Sequence, residues 1–305
     1  GYAAHTGKNL ERYAQREGSV MITNAFEYTR AHSIAEAIRL LEESAGEANV
    51  LAGGHSMLPL MKIRLTSIEK LIDIGRIAEL KGIRRIGDRL DIGALTTHGE
   101  VAKDALVQQV LPALSEAAAR IGDIQVRNRG TVGGNIAHAD PASDLPAIAM
   151  AFDAEINVEG MDGKETFSAD EFFIGPLITA IPENSLLTSV TFALPPDDVK
   201  STYLKYAHPA TGYAVVGVAA AIGQGDDGTI TYARIGITGV GDVAFRAEAV
   251  EQTLLGTKPT EALVQEAADK AAEGQEMGGD LFASAEYRRH LCSVYTERAL
   301  RKLLF

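Results

Sequence analysis

Two glycine pairs, each beside a hydroxyl side chain, are the residues in this sequence best suited to binding a ligand. The first pair lies in the first loop, Ala52 to Ser56, which follows a predicted strand and is followed by Met57. Adjacent glycines allow positive φ and carry no Cβ, so consecutive backbone N–H groups can converge on a phosphate, and Ser56 can add a donor. The same residues also suit a plain strand-to-helix turn, and this loop alone does not decide between the two.

The second pair, Gly133 and Gly134, lies in the second loop, residues 130–135, between Thr131 and Asn135. Asp144 follows just before an apolar helical segment. It suits the N-cap of that helix, and it also suits an acceptor for ligand hydroxyl groups. Two glycine-rich loops in one domain favour a ligand with two phosphates, such as a dinucleotide.

Several common motifs are absent from the chain. The second loop does not have the G-x-G-x-x-G spacing that opens a Rossmann helix. No G-K-S or G-K-T triplet is present, which disfavours a nucleoside triphosphatase, and no G-x-S-x-G elbow supports a serine hydrolase. His98 and His138 lack metal-ligand spacing, so no metal site is predicted.

Composition narrows the class of protein further. The 305 residues suit two domains, and a hydrophobic share of 46% rules out disorder for most of the chain. The net charge is 29 − 41 = −12, which argues against nucleic-acid binding, and no apolar run is long enough for a membrane span. Cys292 is the one cysteine, so any iron–sulfur cluster must belong to a partner chain.

The elements that must position the two loops follow from hydrophobic spacing. Ser33 predicts the start of a helix over 34–45, and a second helix is predicted over 107–121. Hairpins are predicted over 83–95, 155–168 and 214–238, each around a glycine- or aspartate-containing turn. The last hundred residues change from strands to helices, which predicts an α+β layer.

The chain divides into three predicted segments. Residues 1–21 are polar and lack a signal-peptide pattern, so they are interpreted as an expression remnant or an appended arm. Residues 22–197 form the domain that carries both loops. Pro195 and Pro196 end its last strand, and residues 198–305 form the C-terminal domain.

Two strings in the sequence resemble a known family. AGGHSMLPLMKIRL at 52–65 and TVGGNIAHADPASDLP at 131–146 are similar to the flavin-binding medium subunit of molybdenum hydroxylases of the carbon monoxide dehydrogenase and xanthine dehydrogenase type. SAEYRRHLCSVYTERAL at 284–300 is similar to that family's last helix. Both loops and the tail occur in the family's order over roughly residues 22–305, with the AGGHS form closer to the carbon monoxide dehydrogenase branch.

The resemblance implies an α+β fold, with a PCMH-type FAD-binding domain of two α/β subdomains and a smaller C-terminal domain of an antiparallel sheet with helices. FAD would lie in the cleft between the domains. The resemblance also implies partners: a large subunit with the molybdopterin cofactor and a small subunit with [2Fe–2S] clusters, assembled as a dimer of heterotrimers. We expect a cytoplasmic complex, with any membrane association made through its electron acceptor.

The same resemblance implies a set of FAD-binding residues. These are Ala52, Gly53, Gly54, His55, Ser56 and Met57 on one side of the diphosphate, Thr131, Gly133, Gly134 and Asn135 on the other, Asp144 at the sugar or ribityl hydroxyls, and Ile121, Leu187, Lys205 and Tyr213 around the remainder of the cofactor. Ile121 stands where xanthine-type members place an aromatic residue. No catalytic residue is expected in this chain.

Structural alternatives stand beside three of these roles. His55 equally suits a hydrogen bond that holds its turn, and Lys205 equally suits a solvated surface charge. Tyr213 equally suits a strand aromatic packed on a helix.

The sequence therefore predicts an oxidoreductase subunit that takes electrons from the small subunit's clusters and passes them from FAD to an external acceptor. A stand-alone PCMH-type flavin oxidase or reductase is the alternative, and a binding module without redox activity is the alternative outside enzymes. The substrate of the complex and the final acceptor are not encoded in any motif of this chain.

Overall fold

A computed structural model describes residues 23–305 of the chain, in which three larger sheets follow one another and a two-stranded sheet accompanies the second. The predicted arm, residues 1–21, lies outside the described residues. The first part is a small parallel sheet with two helices. Its elements are β1 (Glu27–Arg30), α1 (Ile34–Glu43), β2 (Ala48–Leu51), α2 (Met57–Lys62) and β3 (Lys70–Asp73).

The strand order of this first sheet is β1-β3-β2, with both neighbouring pairs parallel. Ser33 caps α1 as predicted, because its hydroxyl accepts a hydrogen bond from the Glu36 amide. The buried face of α1, with Ala37, Ile38 and Leu41, packs in the same core as Ile72 of β3. The carboxyl end of β2 is thereby fixed at the point where the first loop begins.

The second part is a five-stranded antiparallel sheet of order β4-β5-β10-β6-β7, covered by helices. Its strands are β4 (Ile83–Ile86), β5 (Arg89–Gly93), β6 (Glu155–Gly160), β7 (Gly163–Ser168) and β10 (Leu186–Ala193), with a small hairpin of β8 (Phe173–Gly175) and β9 (Ile178–Thr179). Its helices are α3 (His98–Lys103), α4 (Ala105–Val110), α5 (Pro112–Ala119), α6 (Ile124–Arg129), α7 (Val132–His138), α8 (Leu145–Ala151) and α9 (Ala169–Phe172).

The C-terminal part is a four-stranded antiparallel sheet followed by helices, as predicted. Its elements are β11 (Lys200–Ala207), β12 (Ala214–Gln224), β13 (Ile230–Thr238), β14 (Phe245–Arg246), α10 (Glu248–Leu254), α11 (Glu261–Ala268) and α12 (Ala285–Leu304). Strand β12 is buried on both faces. Ala219 and Ala221 pack in the core of the second part, whereas Val218 and Ala220 pack in the core that includes Cys292 of α12.

Three features of this fold bear on details of the sequence interpretation. The single helix predicted over 107–121 is wrong, because α4 ends before Leu111 and α5 begins at Pro112. Proline has no N–H and suits the first position of a new helix, where no donor is needed. The three predicted hairpins are present. Cys292 is fully buried, and burial raises the pKa of its thiol to about 12, which confirms it as an inert core residue.

No helix within residues 23–305 is long and apolar enough to cross a membrane.

Candidate functional site: a cleft between two glycine loops

The first loop is held in place by backbone contact with the segment that leads into the second. A Cβ on Gly53 would lie 2.2 Å from the carbonyl oxygen of Arg129, so only glycine permits this approach. Gly54 has φ +78°, a conformation that other residues rarely adopt. Glycine is therefore required at the two positions for different reasons: at position 53 by a close backbone contact, and at position 54 by the backbone conformation of the turn.

The first loop also leaves its amide groups free. Within residues 23–305, the backbone N–H groups of Gly53 to Ser56 have no hydrogen-bond acceptor. They lie after the carboxyl end of β2, in the region where open α/β sheets bind ligands. Free, convergent amides are the donors that a phosphate requires.

The second loop differs, because most of its amides are already paired. Gly133 donates to the Ala94 carbonyl at 2.9 Å, Gly134 donates to the Thr131 hydroxyl oxygen at 3.1 Å, and Asn135 donates to the Thr131 carbonyl at 3.0 Å. The second loop therefore presents fewer free backbone donors than the first. Its available donors are side chains, namely the Thr131 hydroxyl and the Asn135 amide, whose oxygen accepts from Ser143 at 2.5 Å.

The two loops face each other. A Cβ on Gly134 would lie 4.0 Å from the Cβ of Ala52, and little else lies nearby except the Thr131 hydroxyl at 2.8 Å. Gly133 faces the other way, since its Cβ would meet Ala94 at 2.5 Å. Gly134 is therefore the member of the second pair that keeps the space between the loops open.

Asp144 connects the second part to the C-terminal sheet. Its carboxylate accepts hydrogen bonds from the Tyr203 hydroxyl at 2.6 Å and from the Lys205 ammonium at 2.8 Å, and Lys205 also donates to the Arg120 carbonyl at 3.1 Å. Burial raises the pKa of the Asp144 carboxyl, opposed by the Lys205 charge and by both hydrogen bonds.

These contacts settle two of the structural alternatives. Asp144 occupies the N-cap position of α8 but its side chain makes no capping hydrogen bond, so capping is not its role. Lys205 is buried and ion-paired, so the solvated-charge interpretation is wrong.

All of the residues that the resemblance implies line one cleft of about 650 Å³. They are Ala52, Gly53, Gly54, His55, Ser56, Met57, Ile121, Thr131, Gly133, Gly134, Asn135, Asp144, Leu187, Lys205 and Tyr213. Ile121 and Leu187 are buried apolar walls, whereas the Tyr213 side chain is exposed at the rim, not buried under a helix. The His55 ring makes no hydrogen bond within residues 23–305 and is exposed, so it does not hold its turn.

The sequence interpretation missed His98, Ser143 and the apolar wall residues Leu95 and Leu186 of this cleft. His98 is the first residue of α3. A capping box formed by Thr97 and Glu100 starts that helix, and this T-x-x-E pattern was a usable signal in the sequence.

The residues present fit a flavin dinucleotide. The cleft volume lies in the range of roughly 300–1,000 Å³ common to cofactor sites. One end offers free amides and hydroxyl donors suited to a diphosphate, and the buried walls of Ile121 and Leu187 suit a flat apolar ring.

Comparisons with known proteins agree with this geometry along most of the chain. Residues 24–195 match the family described as FAD binding domain in molybdopterin dehydrogenase, and residues 201–303 match the CO dehydrogenase flavoprotein C-terminal domain. The chain belongs to this flavoprotein subunit family. It is a FAD-binding medium subunit of the molybdenum hydroxylase type, an oxidoreductase component with the predicted α+β fold.

Individual members of the family cover nearly the same length. The carbon monoxide dehydrogenase medium chain of Hydrogenophaga pseudoflava is 39% identical, over 92% of this chain and 97% of that one. The xanthine dehydrogenase FAD-binding subunit of Escherichia coli O157:H7 is 28% identical, over 90% of this chain and 94% of that one. A solved structure of carbon monoxide dehydrogenase from H. pseudoflava, which lacks the Mo-pyranopterin moiety, has a TM-score of 0.88 and 40% identity over 92% of this chain and 98% of that chain.

Proposed function

We propose that this subunit receives electrons from the [2Fe–2S] clusters of a small partner subunit and passes them, through FAD, to an acceptor outside the complex. The observation that carries the proposal is the cleft of a FAD-binding family member in a chain whose one cysteine is buried elsewhere. The chain can hold a flavin but has too few cysteines for a cluster, so in this proposal the clusters belong to another chain. Bound FAD supplies the ability to accept electrons singly and to release them in pairs.

Each part of the cleft has a proposed role toward the cofactor. The free amides of Gly53 to Ser56 donate to the diphosphate, and Thr131 and Asn135 donate from the opposite side. The protein has a net charge of −12, so its overall charge does not attract an anion. The positive potential that a diphosphate needs must therefore be local and come from oriented dipoles.

The buried end of the cleft orients the remainder of the cofactor. The Asp144 carboxylate has lone pairs left for a ribityl or ribose hydroxyl after accepting from Tyr203 and Lys205. Ile121 and Leu187 would shield the ring from water, and the exposed Tyr213 would offer an aromatic surface to it at the cleft.

The proposed partners are a molybdopterin-containing large subunit and a small iron–sulfur subunit, in a dimer of heterotrimers. The names of the relatives, such as medium chain and FAD-binding subunit, describe components of larger assemblies and support this proposal.

Anaerobic mixing tests the electron route. The FAD-loaded chain is mixed with a chemically reduced [2Fe–2S] small subunit copurified from the native complex, and the visible flavin absorbance is followed. We expect rapid bleaching, and no bleaching with the oxidised small subunit. A flavin that stays oxidised, or one that remains attached to the denatured chain as in stand-alone covalent flavin oxidases, would contradict the proposal.

A further inference from the structure

His98 is a buried histidine on the wall of the cleft that has no partner for its ring. Its side chain lines the cleft, yet the residue is only 3% exposed. Its backbone N–H donates to the Gly130 carbonyl at 3.0 Å, and its ring edge lies so close to Gly130 that a Cβ there would meet it at 2.9 Å. Within residues 23–305 the buried Nδ1 atom has no hydrogen-bond partner.

An unpaired buried polar atom costs about 1–3 kcal/mol, so a partner for this ring is expected. The position of His98 indicates what kind of ligand would supply that hydrogen-bond partner. It stands where the second loop begins, and the field of His55 from the first loop reaches it. The two loops that we propose to hold the diphosphate therefore meet at this imidazole.

The electrostatic influences on the pKa of His98 come from Arg127 and His55 and not from a carboxylate. Burial lowers the pKa of His98 to about 4, and Arg127 of α6 and His55 lower it further. Of the other helices packed against α3, α4 has no titratable residue, and the one in α5, Glu116, is held by Thr202 and Lys302. On α3 itself, Glu100 is held by Thr97. The other charged side chains of these helices are basic, namely Arg127 and Arg129 of α6 and Lys103 of α3, so an anion beside His98 would lie among three cations and two carboxylates that are already hydrogen-bonded.

We propose that the His98 imidazole donates a hydrogen bond to the diphosphate of the bound flavin nucleotide and takes up one proton from solvent when that anion binds. The inference rests on the proposed function of the cleft. Binding replaces a missing partner with two negative charges, which favours the charged imidazolium that burial and Arg127 otherwise oppose. By linkage, a site that takes up a proton must bind its ligand more tightly as the pH falls.

Calorimetric titration of the FAD-free chain tests the inference. FAD is added at pH 7.5, 6.5 and 5.5, in two buffers of different ionisation enthalpy. We expect affinity to rise as the pH falls, most steeply between pH 6.5 and 5.5 and by at most roughly tenfold per pH unit, with proton uptake growing toward about one per FAD over the same range. ADP-ribose, which carries the same doubly esterified diphosphate without a flavin, is expected to show the same proton uptake, and riboflavin, which has no phosphate, is expected to show none.

Variants separate His98 from the other histidines. His98→Gln keeps a donor but cannot titrate, so the pH dependence should disappear, while His290→Gln, outside the cleft, should retain it. If the His98 variant does not fold, the ring resonances of His98 in the wild-type chain decide, because their pKa should rise from about 4 by two units or more (roughly, from the anion's charge) when ADP-ribose is added.

The outcomes are distinguishable. No FAD binding at any pH would contradict the proposed function of the cleft. FAD binding with pH-independent affinity, a pH dependence that survives in His98→Gln, or an unchanged His98 resonance would overturn this inference alone.

Discussion

The carboxylate of Asp144 and the ammonium of Lys205 lie 2.8 Å apart, with side chains only 5% and 3% exposed. Asp144 immediately precedes α8 in the second part, and Lys205 lies on β11 of the C-terminal sheet, so this ion pair joins the two domains at the wall of the cleft. A buried ion pair is weak evidence for net stability, but removing one partner strands the other charge in a dry environment.

Replacing Asp144 by asparagine should therefore destabilise the protein strongly. Asp144→Asn leaves the Lys205 charge without its counter-ion, and the expected loss is about 3–5 kcal/mol in the free energy of unfolding, measured by urea denaturation. A matched control is Glu43→Gln, which breaks the exposed pair of Glu43 with Arg39 and should change stability by less than about 1 kcal/mol. Equal effects of the two substitutions would show that the buried pair has no special role.

The FAD-free protein should lose stability as the pH falls, in part through His98. Its folded-state pKa of about 4 lies below the ordinary 6.5, so the unfolded chain binds the extra proton between these values, and stability present above pH 6.5 is lost on acidification toward pH 4. The expected contribution is about 1.4 kcal/mol between pH 8 and pH 5.5. Thermal unfolding of wild-type and His98→Leu proteins checks this, since the pH dependence should be smaller in the variant, and parallel curves would contradict it.

Substitution of Gly134 should weaken FAD binding more than it weakens the fold. Gly134→Val fills the space opposite Ala52 and crowds the Thr131 hydroxyl, so we expect at least a tenfold loss of FAD affinity, about 1.4 kcal/mol. Fluorescence titration measures the affinity. Gly175→Val, in β8 and away from the cleft, is the control and should leave affinity unchanged. Unchanged affinity in Gly134→Val would remove the second loop from the site.

Substitution of Gly53 should have a different consequence. A Cβ in Gly53→Ala would overlap the backbone of Arg129, so the two loops must move apart. We expect a loss of both stability and FAD affinity, and faster hydrogen exchange in the residues around 53 and 130. A variant with normal exchange and normal affinity would show that the loops do not depend on this contact.

Tyr213 should contribute through its ring and not through its hydroxyl, which has no hydrogen bond within residues 23–305. Tyr213→Phe should bind FAD as tightly as the wild type, whereas Tyr213→Ala should lose about 0.5–1.5 kcal/mol of binding free energy. Titrations of the two variants are compared directly. Identical affinities of Tyr213→Ala and Tyr213→Phe would place the flavin ring away from this residue.

Local features of the fold and the residues of the cleft could be predicted from the sequence to a large extent. Ser33 marked the start of α1, and the glycine- and aspartate-containing turns marked the hairpins, because these signals act over a few residues. The break at Pro112 was missed because the hydrophobic spacing on either side suits one continuous helix. The resemblance supplied the list of cleft residues, which spacing alone could not bring together.

The tertiary environment of individual residues could not be predicted. The partner of Asp144 is Tyr203, 59 positions away, and no local pattern distinguishes that contact from an N-cap. The paired amides of the second loop depend on Ala94, and the buried ring of His98 depends on Gly130, which are likewise contacts between distant segments. Glycine patterns indicate that a backbone is accessible, but only packing shows which N–H groups remain free.

A crystal structure of the chain with FAD bound tests the central claim most directly. We predict that the diphosphate lies between residues 52–56 and 131–135, accepting hydrogen bonds from the free amides of Gly53 to Ser56, and that the flavin ring lies against Ile121 and Leu187. A diphosphate bound elsewhere on the chain, with these amides facing only solvent, would contradict the account.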